Sequence, residues 1–218
     1  MVRQVLDIVY EDRNLLVVNK PPGLLTSTNA RERRPTLLAM VREHVAKQRG
    51  RHQVGVIHRL DRDASGLLVF SKNHQAYLSL KNQLFKRTMK RVYLAVVKGT
   101  PNPKEGRIES WLMELPDGKV VSTQRRAAGE RAITDYELVA RSGGKSLVRM
   151  TLLTGRKHQI RAHLSERGHP IVGDRMYGGA SSRELMLCAV ELAFADPVNG
   201  RLRDFHIDPP WQFLASDI

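Results

Sequence analysis

The stretch His58-Arg59-Leu60-Asp61-Arg62-Asp63-Ala64-Ser65-Gly66 holds five ionisable side chains in nine residues, between the apolar runs Val54–Ile57 and Leu67–Ser71. A polar loop held between two buried segments is where active sites concentrate. The same composition also suits a charged turn between hairpin strands, with Asp63 or Ser65 making turn hydrogen bonds. His58, Asp61 and Ser65 invite a hydrolase reading. Ser65, however, lies in Ala64-Ser65-Gly66 rather than in a G-x-S-x-G elbow, and triad members are assembled in space rather than from one loop.

Two further stretches could carry chemistry. In Leu152-Leu153-Thr154-Gly155-Arg156-Lys157-His158-Gln159-Ile160-Arg161, a strand feeds a Gly turn into a helix that begins with two cations. Free N–H groups at a helix start, together with Arg156, make an electropositive spot that could hold a phosphate or keep a carboxylate ionised. A basic, solvated helix is the plainer alternative. In Lys90-Arg91-Val92-Tyr93-Leu94-Ala95-Val96-Val97-Lys98-Gly99, Tyr93 sits early in a strand just after a basic cluster. An aromatic face beside cations is the arrangement that stacks an unpaired base, although a strand Tyr also serves as simple packing. The eight His are scattered, and His158 and His163 lack the i, i+4 spacing of a helical metal pair, so no metal is expected.

The elements that must position these residues belong to a chain of 218 residues, which suggests one large domain, split into two lobes around a cleft. A chain of this size buries roughly 70–75% of its unfolded surface and needs no disulfide to be stable. Cys188 stands alone inside the apolar run Leu185–Phe194, which fits a reducing setting and a small core residue. The N-terminus shows no cleavage pattern, and no apolar run approaches the ~20 residues of a membrane span. A cytoplasmic, soluble protein is expected.

Thirty-six Lys and Arg against 22 Asp and Glu leave a net charge of +14, which favours polyanions, nucleic acid first. The cations cluster. Arg31–Arg51 carries seven basic and two acidic side chains, and Lys81–Arg91 five basic and none acidic. Clusters of this kind read as a track for phosphates.

Leu15–Asn19 reads as a buried strand ended by Lys20-Pro21-Pro22-Gly23. Thr36 caps a helix through about Gln48, with Leu37, Leu38, Val41 and Val45 on one face. Leu67–Ser71 is a strand, and Asn73 caps a helix through Arg87 whose Ala76, Tyr77, Leu80 and Leu84 share a face. Strands follow at Val92–Lys98, Arg107–Met113, Ala132–Val139 and Ser146–Leu153, the last with Val148, Met150 and Leu152 on one side. A helix from Arg156 to about Arg167 turns Ile160 and Leu164 inward. Leu185–Phe194 is a final buried strand or a short helix. Consecutive strands with few helices predict α+β, with a mostly antiparallel sheet and flanking helices.

His58-Arg59-Leu60-Asp61 followed by Ala64-Ser65-Gly66 resembles the catalytic motif HRLDxxTSG of RluA-type pseudouridine synthases, with Ala64 in the place usually held by Thr. Val17-Val18-Asn19-Lys20-Pro21-Pro22-Gly23, Tyr93–Gly99, Thr154–Arg161 and Gly173-Asp174-Arg175-Met176-Tyr177-Gly178 match that family's other motifs in order. These motifs run from Val17 to Gly178, within a resemblance that covers roughly residues 7 to 210. The resemblance implies the pseudouridine synthase fold and an isomerase needing no cofactor. It also implies roles for individual residues. Asp61 matches the carboxylate that attacks a target uridine before the N-glycosidic bond breaks and the uracil rejoins through C5. Arg156 matches the guanidinium that favours the ionised nucleophile. Tyr93 stacks on the detached base, and Ile160 packs against it and keeps water away. Arg59 meets the RNA near the everted nucleotide, with His58, Arg62 and Gln159 as further substrate contacts.

The implied partner is ribosomal and/or transfer RNA, bound by a monomer with no membrane or metal. With Asp61 so near the N-terminus, the chain reads as a single catalytic domain over residues 1–218 without an accessory RNA-binding module. The principal rival is a non-catalytic RNA-binding or ribosome-assembly protein on the same fold. It explains the charge equally well. It does not explain a carboxylate at Asp61 amid a positive field that must attract phosphate.

Overall fold

The structure, a computed structural model, describes residues 5–28, 35–50 and 52–213. The chain divides into two compact units, Met1–Met89 with Glu191–Asp208, and Lys90–Val190 with Pro209–Ile218.

The first unit opens with β1 (Asp7–Glu11), β2 (Leu15–Lys20) and α1 (Leu37–Ala46), followed by β3 (Gly55–Val56), β4 (Ser65–Ser71) and α2 (His74–Phe85). β2 pairs antiparallel with β1 and with β4, in a register that runs from Leu15 opposite Ser71 to Lys20 opposite Gly66. Both strands are apolar runs because both of their faces are covered: Leu15 to Val18 are fully buried, and so is all of β4. The helices start where capping residues stand. Thr36 accepts from the Ala39 amide, and Asn73 from the Ala76 amide. Ala76 and Leu80 of α2 pack with Leu15, Val17, Leu67 and Val69, with Tyr77 and Leu84 at the edge of that core.

The second unit carries β5 (Lys90–Lys98), β6 (Glu105–Glu114), β7 (Val120–Ser122), β8 (Glu130–Ser142), β9 (Lys145–Leu152) and α3 (Gln159–Glu166). Its antiparallel pairings run β5–β9–β8–β6–β7. Along β9, Val148, Met150 and Leu152 are buried while Arg149 and Thr151 are half-buried, the expected period of two. β10 (Leu187–Ala195) is a strand, which resolves the strand-or-helix alternative. Its last five residues pair in the first unit with β11 (Leu202–His206).

The α+β class and antiparallel pairing stand as expected. Strands β1 and β11 escaped the sequence because more than half of each is exposed, so no apolar pattern marks them, and β7, three residues long, is too short to show one. The helix expected from Arg156 begins instead at Gln159, because His158 sits in the left-handed region at φ 51° and ends the preceding turn. Arg156 and Lys157 therefore lie outside it. α3 is not the solvated helix that its cations allowed: every residue from Gln159 to Leu164 is buried. Among the described residues, no helix is long and apolar enough to cross a membrane.

Candidate active site

β3 and β4 pair antiparallel, Gly55 opposite Ser71 and Val56 opposite Phe70, so residues 57–64 form the connection between paired strands. The hairpin reading and the site reading thus describe the same segment. Leu60 and Ala64 are buried, Asp61 and Asp63 half-buried, and Arg59 and Arg62 exposed. His58 is buried. Burial of the small Ala64 methyl means that the position usually filled by Thr faces protein, not water.

The loop is fixed on both sides of Asp61. Ahead of it, the hydroxyl of Thr26 accepts from the Leu60 amide at 3.2 Å and donates to the Leu60 carbonyl at 2.9 Å. Behind it, Nζ of Lys20 donates to the carbonyl of Arg62 at 2.8 Å, and also to those of Pro21 and Leu24. Lys20 ends β2 opposite Gly66, which sets its side chain under the loop that enters β4. It is fully buried. Burial pushes its ammonium down to about 8, while the carboxylates of Asp63 and Asp61 pull it the other way. Lys81 of α2 adds a third tie, to the carbonyl of Ile57 at 3.0 Å. Arg62 itself pairs with Asp63 through two bonds, at 2.9 and 3.1 Å.

Sequence reasoning gave Lys20 no role of its own and Thr26 none at all. A lysine at the end of an apolar strand ordinarily reads as a solvated terminus, and nothing in a single Thr announces a partner at Leu60. Both act through backbone, which leaves no pattern of residue types.

In the second unit, Tyr93 lies on β5 opposite Met150 and is buried. Arg91, two residues earlier on the same face, is buried as well and donates to the Thr154 carbonyl at 3.2 Å. Burial lowers its pKa, with the nearby Tyr93 opposing. Arg91 is therefore not part of a phosphate track. It ties β5 to the 154–158 turn, and Gly155 leaves room for it, since a Cβ there would come within 2.7 Å of Nη1. Of the other Lys81–Arg91 cations, Lys86, Arg87 and Lys90 are exposed. In the Arg31–Arg51 cluster, Arg31, Arg33, Arg34 and Arg51 lie outside the described residues.

Gln159, placed at the substrate by its motif, has four partners inside the unit. Its oxygen accepts from the Thr154 hydroxyl and the Arg156 amide, and its nitrogen donates to the Ile133 carbonyl and the Thr134 hydroxyl. That exhausts an amide's capacity, so its part is to hold the turn that presents Arg156. Arg156 donates to Glu130 at 2.7 Å and to the Arg131 carbonyl at 3.1 Å. With Arg156 35% and Glu130 68% exposed, such a pair is worth ~0–1 kcal/mol and does not tie up the guanidinium. Ile160 is buried in α3. Beyond it, Arg161 grips Asp174 of the Gly173–Gly178 motif with two bonds, at 2.7 and 2.9 Å.

The structure thus gathers His58, Arg59, Asp61 and Arg62 on one clamped loop of the first unit. Tyr93, Arg156, Gln159 and Ile160 lie on β5, the 154–158 turn and α3 of the second. The human protein RNA Pseudouridylate Synthase Domain Containing 1 has the same fold, with a TM-score of 0.77 and 25% identity over 95% of this chain and 85% of that one.

The chain belongs to the RNA pseudouridylate synthase family, whose pattern it matches over residues 14–166. It is 37% identical to an uncharacterised RNA pseudouridine synthase of Mycoplasma genitalium, over 92% of this chain and 66% of that protein. It is 36% identical to the ribosomal large subunit pseudouridine synthase D of Neisseria meningitidis, over 94% of this chain and 58% of that protein. The chain spans about three-fifths to two-thirds of the length of these curated relatives.

Proposed function

We propose that this chain is an RNA pseudouridine synthase that isomerises uridine in ribosomal and/or transfer RNA, with Asp61 as the nucleophile. The observation that carries this reading is the Asp61 loop itself: a carboxylate in the family's catalytic motif, with the backbone on both sides held by Thr26 and Lys20. A fixed nucleophile loses little entropy on reaching the reacting atom.

The reaction is an isomerisation and balances without a co-reactant. An Asp61 oxygen bonds to the target nucleoside and the N-glycosidic bond breaks. The uracil turns, its C5 forms the new bond to the ribose as the bond to the carboxylate breaks, and the C5 proton is lost to solvent while N1, freed from the ribose, takes one up. We assign Tyr93 to stacking on the base, Arg156 to the reacting centre and Ile160 to its dry wall, from the motifs in which they stand. Arg59, exposed two residues before Asp61, is assigned to the RNA beside the everted nucleotide, with His58 and Arg62 as neighbouring contacts. Everting a uridine from its stack costs roughly a few kcal/mol, which contacts elsewhere on the RNA must offset. We further propose that the protein works as a monomer in the cytoplasm and that residues 1–218 act as one catalytic domain.

Release of tritium from RNA labelled at C5 of uridine tests the reading. Wild-type protein should release tritium, and Asp61→Asn should release none while binding RNA as before. An Asn variant as active as wild type would remove Asp61 from the chemistry. RNA binding without release by wild-type protein would favour the non-catalytic alternative.

A further inference from the structure

The carboxyl end of α2 carries a surface that neither the core nor the Asp61 loop uses. Phe85, the last residue of the helix, is 86% exposed, and Leu78, two turns earlier, is 53% exposed. Single exposed apolar side chains are ordinary on a protein surface, and Val198 and Leu202 are others here, so what distinguishes Phe85 is the cations that follow it in the chain.

The chain leaves the helix in an unusual way. The Thr88 amide bonds back to the Gln83 carbonyl at 3.0 Å and the Arg87 amide to that of Leu84 at 3.2 Å, with Lys86 as the cap. This double closure requires the left-handed region at the residue after the cap, where Gly is favoured because a Cβ is strained. Here that residue is Arg87, at φ 60°. Backbone strain held at a cation points to a task for its side chain.

The electrostatics agree. No Asp or Glu occurs between Asp63 and Glu105, so α2 and its exit bear only positive charge. Lys86 and Arg87 are both exposed. The carbonyl end of a helix repels anions, and these cations reverse that field.

We infer that Phe85, Lys86 and Arg87 form a second RNA contact, where an unpaired nucleotide away from the target uridine stacks its base on Phe85 and gives its phosphate to Arg87 and Lys86. This deepens, and rests on, the reading of the chain as an RNA pseudouridine synthase. Every base has a π-face, so the contact takes unpaired RNA with little regard to sequence. A protein partner is the poorer fit. The two exposed apolar side chains, Leu78 and Phe85, are separated on their face by exposed Asn82 and bounded by cations, which leaves no continuous apolar patch.

Fluorescence anisotropy with a short, labelled, mixed-sequence RNA, single-stranded and as a duplex, tests the contact. Phe85→Ala should weaken single-strand binding roughly tenfold, within the span for losing one stacked base. Duplex binding should hardly change, and Phe85→Trp should preserve both. Arg87→Gly should raise the thermal midpoint by relieving the backbone, yet weaken RNA binding and flatten its salt dependence by about one phosphate. A residue with only a structural role would move the midpoint and leave the affinity alone. In tritium release both variants should raise KM and leave kcat intact.

Phe85→Ala and Arg87→Gly proteins that bind single-stranded RNA as tightly as wild type would overturn the proposal. So would a Phe85→Ala protein with unchanged RNA affinity but an altered sedimentation coefficient, which would make the surface a protein contact. If wild-type protein releases no tritium while Phe85→Ala still loses affinity, the activity reading fails and the RNA contact stands.

Discussion

The hydroxyl of Thr26 holds both backbone polar groups of Leu60, the residue that precedes Asp61, donating to the carbonyl at 2.9 Å and accepting from the amide at 3.2 Å. Both residues are buried, so no water can replace either bond. One side chain thereby fixes the direction in which the chain delivers the carboxylate.

Thr26→Val keeps the shape and removes both bonds. It should destabilise the protein by ~2 kcal/mol, the range expected when buried backbone groups lose their partners. Turnover should fall while RNA affinity holds, because the binding cations are untouched. Thr26→Ser should restore most of both. Urea unfolding and tritium release on the same three proteins check this, and full turnover in Thr26→Val would show that Leu60 is positioned by something else.

Lys20 holds the other side of Asp61, and its ammonium sits at about 8 instead of 10.5 because it is buried. The folded state therefore binds this proton less tightly than the unfolded chain does. The charged form costs stability below about 8, and that cost is relieved as pH rises towards 10.5. Wild-type stability should accordingly gain in this window relative to Lys20→Met, which has nothing to titrate. Parallel unfolding free energies from neutral to alkaline pH would test it; two curves that run parallel throughout would count against the burial argument. Lys20→Met should also lose turnover, since the Arg62 carbonyl loses its donor.

Acid should weaken the two units in different windows. In the second, burial first, and Arg167 next, bring His163 from 6.5 to about 4. The unfolded chain takes up this proton first, so the contribution of neutral His163 is lost as pH falls through that range. In the first unit, burial raises Glu11, but hydrogen bonds from Gln48, Lys72 and His44 outweigh it and bring the carboxyl from 4.5 to about 2. Its contribution is present above 4.5 and lost as pH falls towards 2. His163→Asn should remove the earlier loss, seen by the fluorescence of Trp111 in that unit, and leave the later one. Identical acid transitions in wild type and His163→Asn would refute this.

Gln159→Leu should disorder the turn that presents Arg156. It removes partners from Thr154, Arg156, Ile133 and Thr134 together, for a loss of ~2–4 kcal/mol at a buried site. Turnover should fall more steeply than RNA affinity. Gln159→Glu should retain the acceptor half of the network and sit between the two. A leucine variant that unfolds at the wild-type urea concentration would show that the turn holds without it.

The α+β class, both capped helices of the first unit and the strands β2, β4, β5, β6, β8, β9 and β10 were legible from apolar periodicity and from capping residues such as Thr36 and Asn73, because those signals are local. The Asp61 motif was legible for the same reason: its residue types lie side by side. One further residue lay within reach. Arg91 shares the inward face with Tyr93 by the period of two, and a cation there is a buried one.

The rest depended on partners far apart along the chain. Helix α3 starts at Gln159 rather than Arg156 because His158 is left-handed, at the end of a turn that the Gln159 side chain holds through Thr154, Ile133 and Thr134, and no local propensity encodes those partners. Lys20 and Thr26 became the clamps of Asp61 only once β2 was registered against β4 and the chain after Gly23 was brought beside Leu60. Sequence alone determined which carboxylate stands in the catalytic motif, since chemistry follows residue type. How firmly that carboxylate is held was decided by tertiary structure, because the groups that hold it act through backbone carbonyls and amides, and those are the same in every residue.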